Sequence, residues 1–309
     1  MFTYLDAFPL IVDKRPAYYL IHVTSKCNAA CSHCFYWENI RDGKKEKDMG
    51  LEEFEKISKH MGKVLLINLC GAEAYLRPDL CEIAHLFATA NHSRLMTIPS
   101  NGYLTERIVQ YAERLCRENP DTFFRFAFSI DGPKDQHDAI RGVPGLFDRV
   151  CETVNQMGSL RKQFSNFVLM TSTVFSSETQ GHILDFLDWI KDHLPVEQTN
   201  VTFIRGNPLK PETLHVNPEI YQRLIEKIKQ DAGLQSQDRT VSAVLPYSMF
   251  LNTLDTVVEA QGNPDRRVFQ CFGGQKFLVI GRQGNVYPCE LLDERFRMGN
   301  LKDFDYDIQ

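Results

Sequence analysis

Cys27, Cys31 and Cys34 stand in a C-x-x-x-C-x-x-C run. Three thiolates in so short a loop suit a metal centre. Iron–sulfur cubes take cysteine thiolates as ligands, and this spacing can wrap three corners of one cube. The fourth iron then needs a ligand from outside the chain, and a cluster with an open iron can bind a cofactor directly. That points to an enzyme. Zinc is the alternative, since three cysteines with His33 or His22 can close a tetrahedral structural site. Structural zinc more often uses two separated ligand pairs, so the spacing favours a cluster.

Other polar groups fall at telling places. Gly71-Ala72-Glu73-Ala74, Ser100-Asn101-Gly102, Ser129-Ile130-Asp131-Gly132 and Arg205-Gly206-Asn207-Pro208 each close an apolar segment of strand character. Strands are expected at 18–24, 64–70, 94–99, 123–130, 166–173 and 199–205. Helices are expected at 51–62, 79–92, 104–118, 146–161, 178–194 and 217–231. Strands this apolar, alternating with helices, call for a parallel sheet covered by helices. Six such units make either an open part of the eight-unit barrel or a doubly wound sheet. The expected fold class is α/β, a partial (β/α)6 TIM-type barrel. Both arrangements bind ligands at the carboxyl ends of their strands, so these polar groups share one rim with the cysteine loop.

The β-α rhythm fails after residue 232. Residues 1–17 are expected as an N-terminal extension, 1–232 as the core, 233–268 as a linker region and 269–309 as an auxiliary segment. In that segment Lys276–Ile280 and Val286–Cys289 flank Gly281-Arg282-Gln283-Gly284-Asn285, a β-hairpin pattern. Arg41 to Asp48 is a charged run, expected as a solvated loop. Cys70, Cys81, Cys116 and Cys151 stand singly on apolar faces and are expected in the core, with Cys70 drawing notice because it directly precedes Gly71.

Composition narrows the class. The chain has 309 residues, 43% hydrophobic and 24% charged, with a net charge of −5. That balance exerts no global pull on nucleic acid or an anionic membrane. No apolar run is long enough to span a bilayer and no signal peptide opens the chain, so a cytoplasmic location is expected. Nine cysteines in a reducing compartment are not a disulfide framework.

From Tyr18 to Leu301 the chain resembles the radical S-adenosylmethionine superfamily. Cys27-Asn28-Ala29-Ala30-Cys31-Ser32-His33-Cys34-Phe35 is similar to its cluster loop. The resemblance implies a 4Fe-4S cluster on Cys27, Cys31 and Cys34, with S-adenosyl-L-methionine offering its amino and carboxylate groups to the open iron. It implies His33 beside the adenine and the Tyr36 backbone at the adenine edge. Gly71, Ala72 and Glu73 resemble the Gly-Gly-Glu-Pro motif that meets the methionine amino group, with Ala72 and Ala74 as departures. A methyl at position 72 is expected to strain a backbone that prefers glycine. Ser129 and Arg141, the latter in His137-Asp138-Ala139-Ile140-Arg141-Gly142, match residues that meet the methionine carboxylate, for which a guanidinium fork is well suited. The plainer reading of Arg141 is a structural ion pair. Asn101 matches a polar position near the cofactor, and Arg205 is placed to line the site after the sixth strand.

Cys271 and Cys289 resemble the opening of the SPASM and twitch auxiliary domains and are candidates for a second cluster. Those domains need further cysteines, and none follows before Gln309. The segment is then truncated, has lost its cluster, or takes an unexpected ligand; two buried cysteines are the plainer reading. The resemblance implies reduced flavodoxin or ferredoxin as electron donor. It further implies reductive cleavage of S-adenosylmethionine to a 5′-deoxyadenosyl radical, which abstracts hydrogen from a peptide or protein side chain. No leader-peptide-binding helix–strand unit precedes Tyr18, which weakens the peptide reading without removing it. A small metabolite, sugar or lipid-linked, is the alternative substrate, and a non-catalytic Fe–S or zinc protein is the alternative class.

Overall fold

The structure is a computed structural model that describes residues 13–43, 47–235, 257, 259, 270–292 and 294–308. Six strands form first: β1 (Tyr18–Thr24), β2 (Leu66–Gly71), β3 (Leu95–Ser100), β4 (Phe123–Ser129), β5 (Phe167–Phe175) and β6 (Gln198–Phe203). Helices α1 (Trp37–Asp42) and α2 (Leu51–Met61) follow β1, and α3 (Leu80–Ala90) follows β2. After β3 comes α4 (Thr105–Glu118); α5 (Lys134–Arg141) and α6 (Leu146–Leu160) follow β4. Helix α7 (Ile183–His193) follows β5, and α8 (Pro218–Gln235) follows β6.

All six strands are parallel and neighbour one another in chain order. A doubly wound sheet would reverse that order at a switch point; this sheet does not, and the fold is an unclosed, partial TIM-type barrel. Alternation along each strand builds it. Tyr19, Ile21 and Val23, Ile67 and Leu69, and Phe124, Phe126 and Phe128 point one way and are fully or almost fully buried. They meet Phe54, Ile57, Phe87, Ile108, Leu115, Val150 and Ile190 from the helices. Each such side chain contributes about 1.5–3 kcal/mol on burial, which makes this outer layer the main source of stability. The opposite face carries Tyr18, Asn68, Cys70, Thr97 and Arg125, all only partly buried.

Three short strands extend the sheet: β7 (Phe277–Ile280), β8 (Asn285–Tyr287) and β9 (Gly299–Asn300). The first two make the expected hairpin. Beyond that expectation, β7 pairs in parallel with β1, Tyr18 opposite Phe277 and Ile21 opposite Ile280, with the Tyr18 and Phe277 rings 4.7 Å apart. The charged run begins inside α1 rather than wholly in a loop, and residues 44–46 of it lie outside the described residues. So do 1–12 of the N-terminal extension and, apart from 233–235, 257 and 259, the linker region 233–268. Among the described residues no helix is long and apolar enough to cross a membrane.

Candidate active site

The cysteine loop leaves β1 at its carboxyl end and is held by backbone hydrogen bonds on three sides. Ala30 N donates to Arg141 O (3.0 Å) and Ser32 N to Ile140 O (2.9 Å), tying it to the end of α5. Leu209 N donates to Cys34 O (3.1 Å) and Lys210 N to Ser32 O (2.8 Å), tying it to the segment after β6. Ala72 N donates to Thr24 O (3.1 Å) and Glu73 N to Lys26 O (2.9 Å), closing the β2 side. Ser32 Oγ also hydrogen-bonds Glu178 in the segment after β5. The crowding explains the glycines. Gly71 has φ +113°, and a Cβ there would lie 2.6 Å from Thr24 O. Gly142 caps α5 in the left-handed conformation at φ 66°. Ala72 is not among the residues of positive φ, so its methyl meets no glycine-only backbone and the expected strain is absent.

One cavity of about 270 Å³ opens at this rim. Cys27, Cys31 and Cys34 line it together with His33, Tyr36, Gly71, Ala72, Glu73, Asn101, Ser129, Arg141 and Arg205. Every residue singled out for the first cluster and its cofactor therefore reaches the same space, from the ends of five different strands and the segments that follow them.

Glu73 is 2% exposed. Ser100 Oγ donates to its Oε1 (2.9 Å), Asn101 N to its Oε2 (2.8 Å) and Tyr75 N to Oε1 (3.3 Å). Burial pushes its carboxyl pKa up to about 6 against those three donors. Asn101 in turn donates from Nδ2 to Asn28 Oδ1 inside the cysteine loop (2.7 Å).

Arg141 makes the ion pair of the plainer reading and still lines the cavity. Its Nε and Nη2 each lie 2.7 Å from Asp131 Oδ2, while its Nη1 lies 3.6 Å from Cys31 Sγ. Asp131 is fully buried. Val174 N donates to its Oδ1 (2.9 Å), and its own N–H donates to His137 Nδ1 (3.1 Å). Burial would raise its pKa; the charges of Arg141, His33 and His137 outweigh that and hold it at about 2. Asp131 is the residue that sequence reasoning passed over. It stands in the Ser-Ile-Asp-Gly run, where an aspartate reads as an ordinary turn residue.

The thiols sit where charge is disfavoured: burial pushes Cys27 up to about 12, Cys34 up to about 11, and Cys31 upward as well. Burial likewise holds His33 down at about 4, and its Nδ1 is buried without a hydrogen-bond partner. Arg205 lies over the Phe35 ring at 5.6 Å and pairs with Glu290 of the C-terminal segment.

Cys271 and Cys289 do not line this cavity. Cys271 is exposed and Cys289 half-buried. Gly273 N–H donates to Cys271 Sγ (3.4 Å), and Gly273 packs against the backbone of Pro288, where a Cβ would lie 2.6 Å from Pro288 O. Cys81 and Cys116 are buried in the outer core, whereas Cys70 lies on the partly buried inner face.

Fold and rim together define a class, partial α/β barrels with a cavity at the carboxyl ends of parallel strands. The family model of the Radical SAM superfamily matches residues 21–190, more than half of the chain, and the protein belongs to that superfamily of enzymes. The AdoMet-dependent heme synthase of Methanosarcina barkeri is 25% identical over 292 residues, 92% of this chain and 79% of that protein. The antilisterial bacteriocin subtilosin biosynthesis protein AlbA of Bacillus subtilis is 21% identical over 294 residues, and the chain spans 57% of its length. Among solved structures, Streptococcus suis SuiB bound to S-adenosylmethionine superposes with a TM-score of 0.63 at 14% identity, covering 98% of this chain and 66% of that one. Native anSMEcpe with bound AdoMet gives 0.64 at 19% identity, covering 95% of this chain and 81% of that one. At these identities the superpositions speak for the fold.

Proposed function

We propose that this radical SAM enzyme holds a 4Fe-4S cluster on Cys27, Cys31 and Cys34, takes S-adenosylmethionine in the rim cavity, and modifies a peptide or protein side chain. The observation that carries the reading is the convergence of all the predicted cofactor residues on one cavity beside the three cysteines. The donor set fits the group. Three partly buried thiols of raised pKa are costly as thiolates unless metal charge compensates, and a coordinated thiol is deprotonated outright. Zinc has less support, because structural zinc more often uses two separated ligand pairs than one run of three cysteines.

When bound, cluster and S-adenosylmethionine supply one-electron chemistry for removing a hydrogen atom from substrate. The chain supplies position. Glu73, fixed by Ser100 and Asn101, faces the ammonium group. Arg141, braced by Asp131, faces the carboxylate, and Ser129 adds a hydroxyl. Val174, Phe203 and Ile204 give the cavity apolar wall and exclude water. His33, neutral at ordinary pH, presents a ring without charge to the adenine. The electron donor is a reduced flavodoxin or ferredoxin.

The peptide reading draws on the likeness to AlbA and on the shared fold with SuiB, which has been solved bound to its precursor peptide SuiA. The 25% identity to a heme synthase favours a small metabolite as the second reading. The cofactor assignment is tested by anaerobic reconstitution and assay of iron and sulfide. About four of each per chain are expected, lost in Cys31→Ala, with S-adenosylmethionine binding at least about tenfold weaker in Glu73→Gln. Colourless protein holding one zinc per chain would overturn it.

A further inference from the structure

Arg125 stands on the face of β4 that carries Ser129, opposite the buried Phe124, Phe126 and Phe128. Strand register places it in one row across the sheet: Leu20, Asn68, Thr97, Arg125 and Val168 are successive partners. The next row toward the rim holds Pro99 opposite Ala127, and Pro99 already lines the cofactor cavity. Arg125 is thus one inward-facing position, about 7 Å, below the floor of that cavity.

Two polar side chains in this row have atoms without a partner among the described residues. Arg125 makes no hydrogen bond or ion pair among the described residues; it is partly buried, and burial lowers its pKa. Asn68, on the next strand but one, has a buried Oδ1 with no hydrogen-bond partner. Nearly all buried polar groups are paired, and an unpaired one is costly. An unpaired cation is costlier still. Every other arginine in or beside this rim has its anion: Arg141 has Asp131, Arg77 has Asp79, Arg205 has Glu290 and Arg282 has Asp48. Tyr18 is the one titratable neighbour that acts on Arg125, and burial pushes its phenol up to about 12, so it stays neutral and supplies no counter-charge.

We propose that Arg125 and Asn68 form a substrate subsite on the inner face of the barrel, below the cofactor, that binds a carboxylate group together with an adjacent N–H or O–H donor. The guanidinium fork takes the carboxylate, and Asn68 Oδ1 takes the donor. This rests on the reading of the rim cavity as the cofactor site, and it gives the substrate a class. The carboxylate comes from an acidic side chain of a peptide or from a small carboxylate metabolite.

The test is calorimetric titration of the reconstituted protein with three probes: a capped pentapeptide centred on glutamate, the same peptide centred on glutamine, and glutarate. A preference of about tenfold or more for the glutamate peptide or for glutarate over the glutamine peptide is expected. That preference falls to within about twofold in Arg125→Gln and is partly kept in Arg125→Lys. Tighter binding of the glutamate peptide than of glutarate assigns a peptide source, and the reverse assigns a metabolite. Thermal melting gives a second, independent readout. An unpaired, partly buried cation predicts that Arg125→Met melts no lower than wild type, whereas an arginine with a structural role predicts a lower Tm. Equal binding of glutamate and glutamine peptides, no carboxylate binding at millimolar concentration, or a preference that survives Arg125→Gln would overturn the subsite. None of these titrations needs turnover, so the subsite can fail while the cofactor site stands, and the converse holds as well.

Discussion

At the residue scale the site is a set of charges placed where charge is expensive. Glu73 shows the consequence for pH. Its carboxyl is held up at about 6, above an unfolded value near 4.5, so the native state binds the proton more readily than the unfolded chain. The burial cost, about 2 kcal/mol, is present in full above pH 6 and is relieved as pH falls through that range. The ammonium group of S-adenosylmethionine prefers the carboxylate form. Its affinity is therefore expected to fall as pH drops below about 6, and equilibrium dialysis across that range should show the dependence flattened in Glu73→Gln. Asp131 has the opposite sign. Its stabilising contribution is present above the ordinary aspartate range and is lost as pH falls toward about 2. Asp131→Asn leaves the Arg141 cation buried without its anion and should cost about 3–5 kcal/mol in urea unfolding. Glu73 and Arg141 were legible in the sequence because each lies in a recognisable motif, Glu73 just past the end of β2 and Arg141 in the run after β4. Asp131 was not, because nothing local distinguishes an aspartate that braces an arginine ten residues on from one that merely starts a turn.

At the element scale, the rim works because the cysteine loop is stitched by main-chain bonds to three neighbours. Gly71 is where that stitching is tightest. A Cβ at φ +113° and 2.6 Å from Thr24 O must move the β1 end from which the loop departs. Gly71→Ala should lower stability by more than about 1 kcal/mol, and circular dichroism melting would register the loss. Six strands and their long helices were legible from apolar periodicity. Helices α1 and α5 were not: Trp37–Asp42 and Lys134–Arg141 are short and polar, and tertiary contacts rather than pattern hold them helical. Helix α5 matters most, since its last turn carries Arg141 and its carbonyls receive the cysteine loop.

At the scale of the whole molecule, the C-terminal segment is part of the sheet and not an appendage. The hairpin itself was legible from its glycine-rich turn, but parallel pairing of β7 with β1 joins residues more than 250 positions apart, and no local signal announces it. Removing residues 270–309 should bare the edge of β1 and promote self-association, readable by light scattering. The same segment brings Glu290 to Arg205, so it also reaches the rim of the cavity. The central claim is that this rim holds a cluster and S-adenosylmethionine in productive contact. Its most direct test is anaerobic incubation of the reconstituted protein with dithionite and S-adenosylmethionine, followed by chromatographic assay of 5′-deoxyadenosine. 5′-Deoxyadenosine should form with the wild-type protein and not with Cys31→Ala; equal background levels with the two proteins would rule out a productive site at this rim.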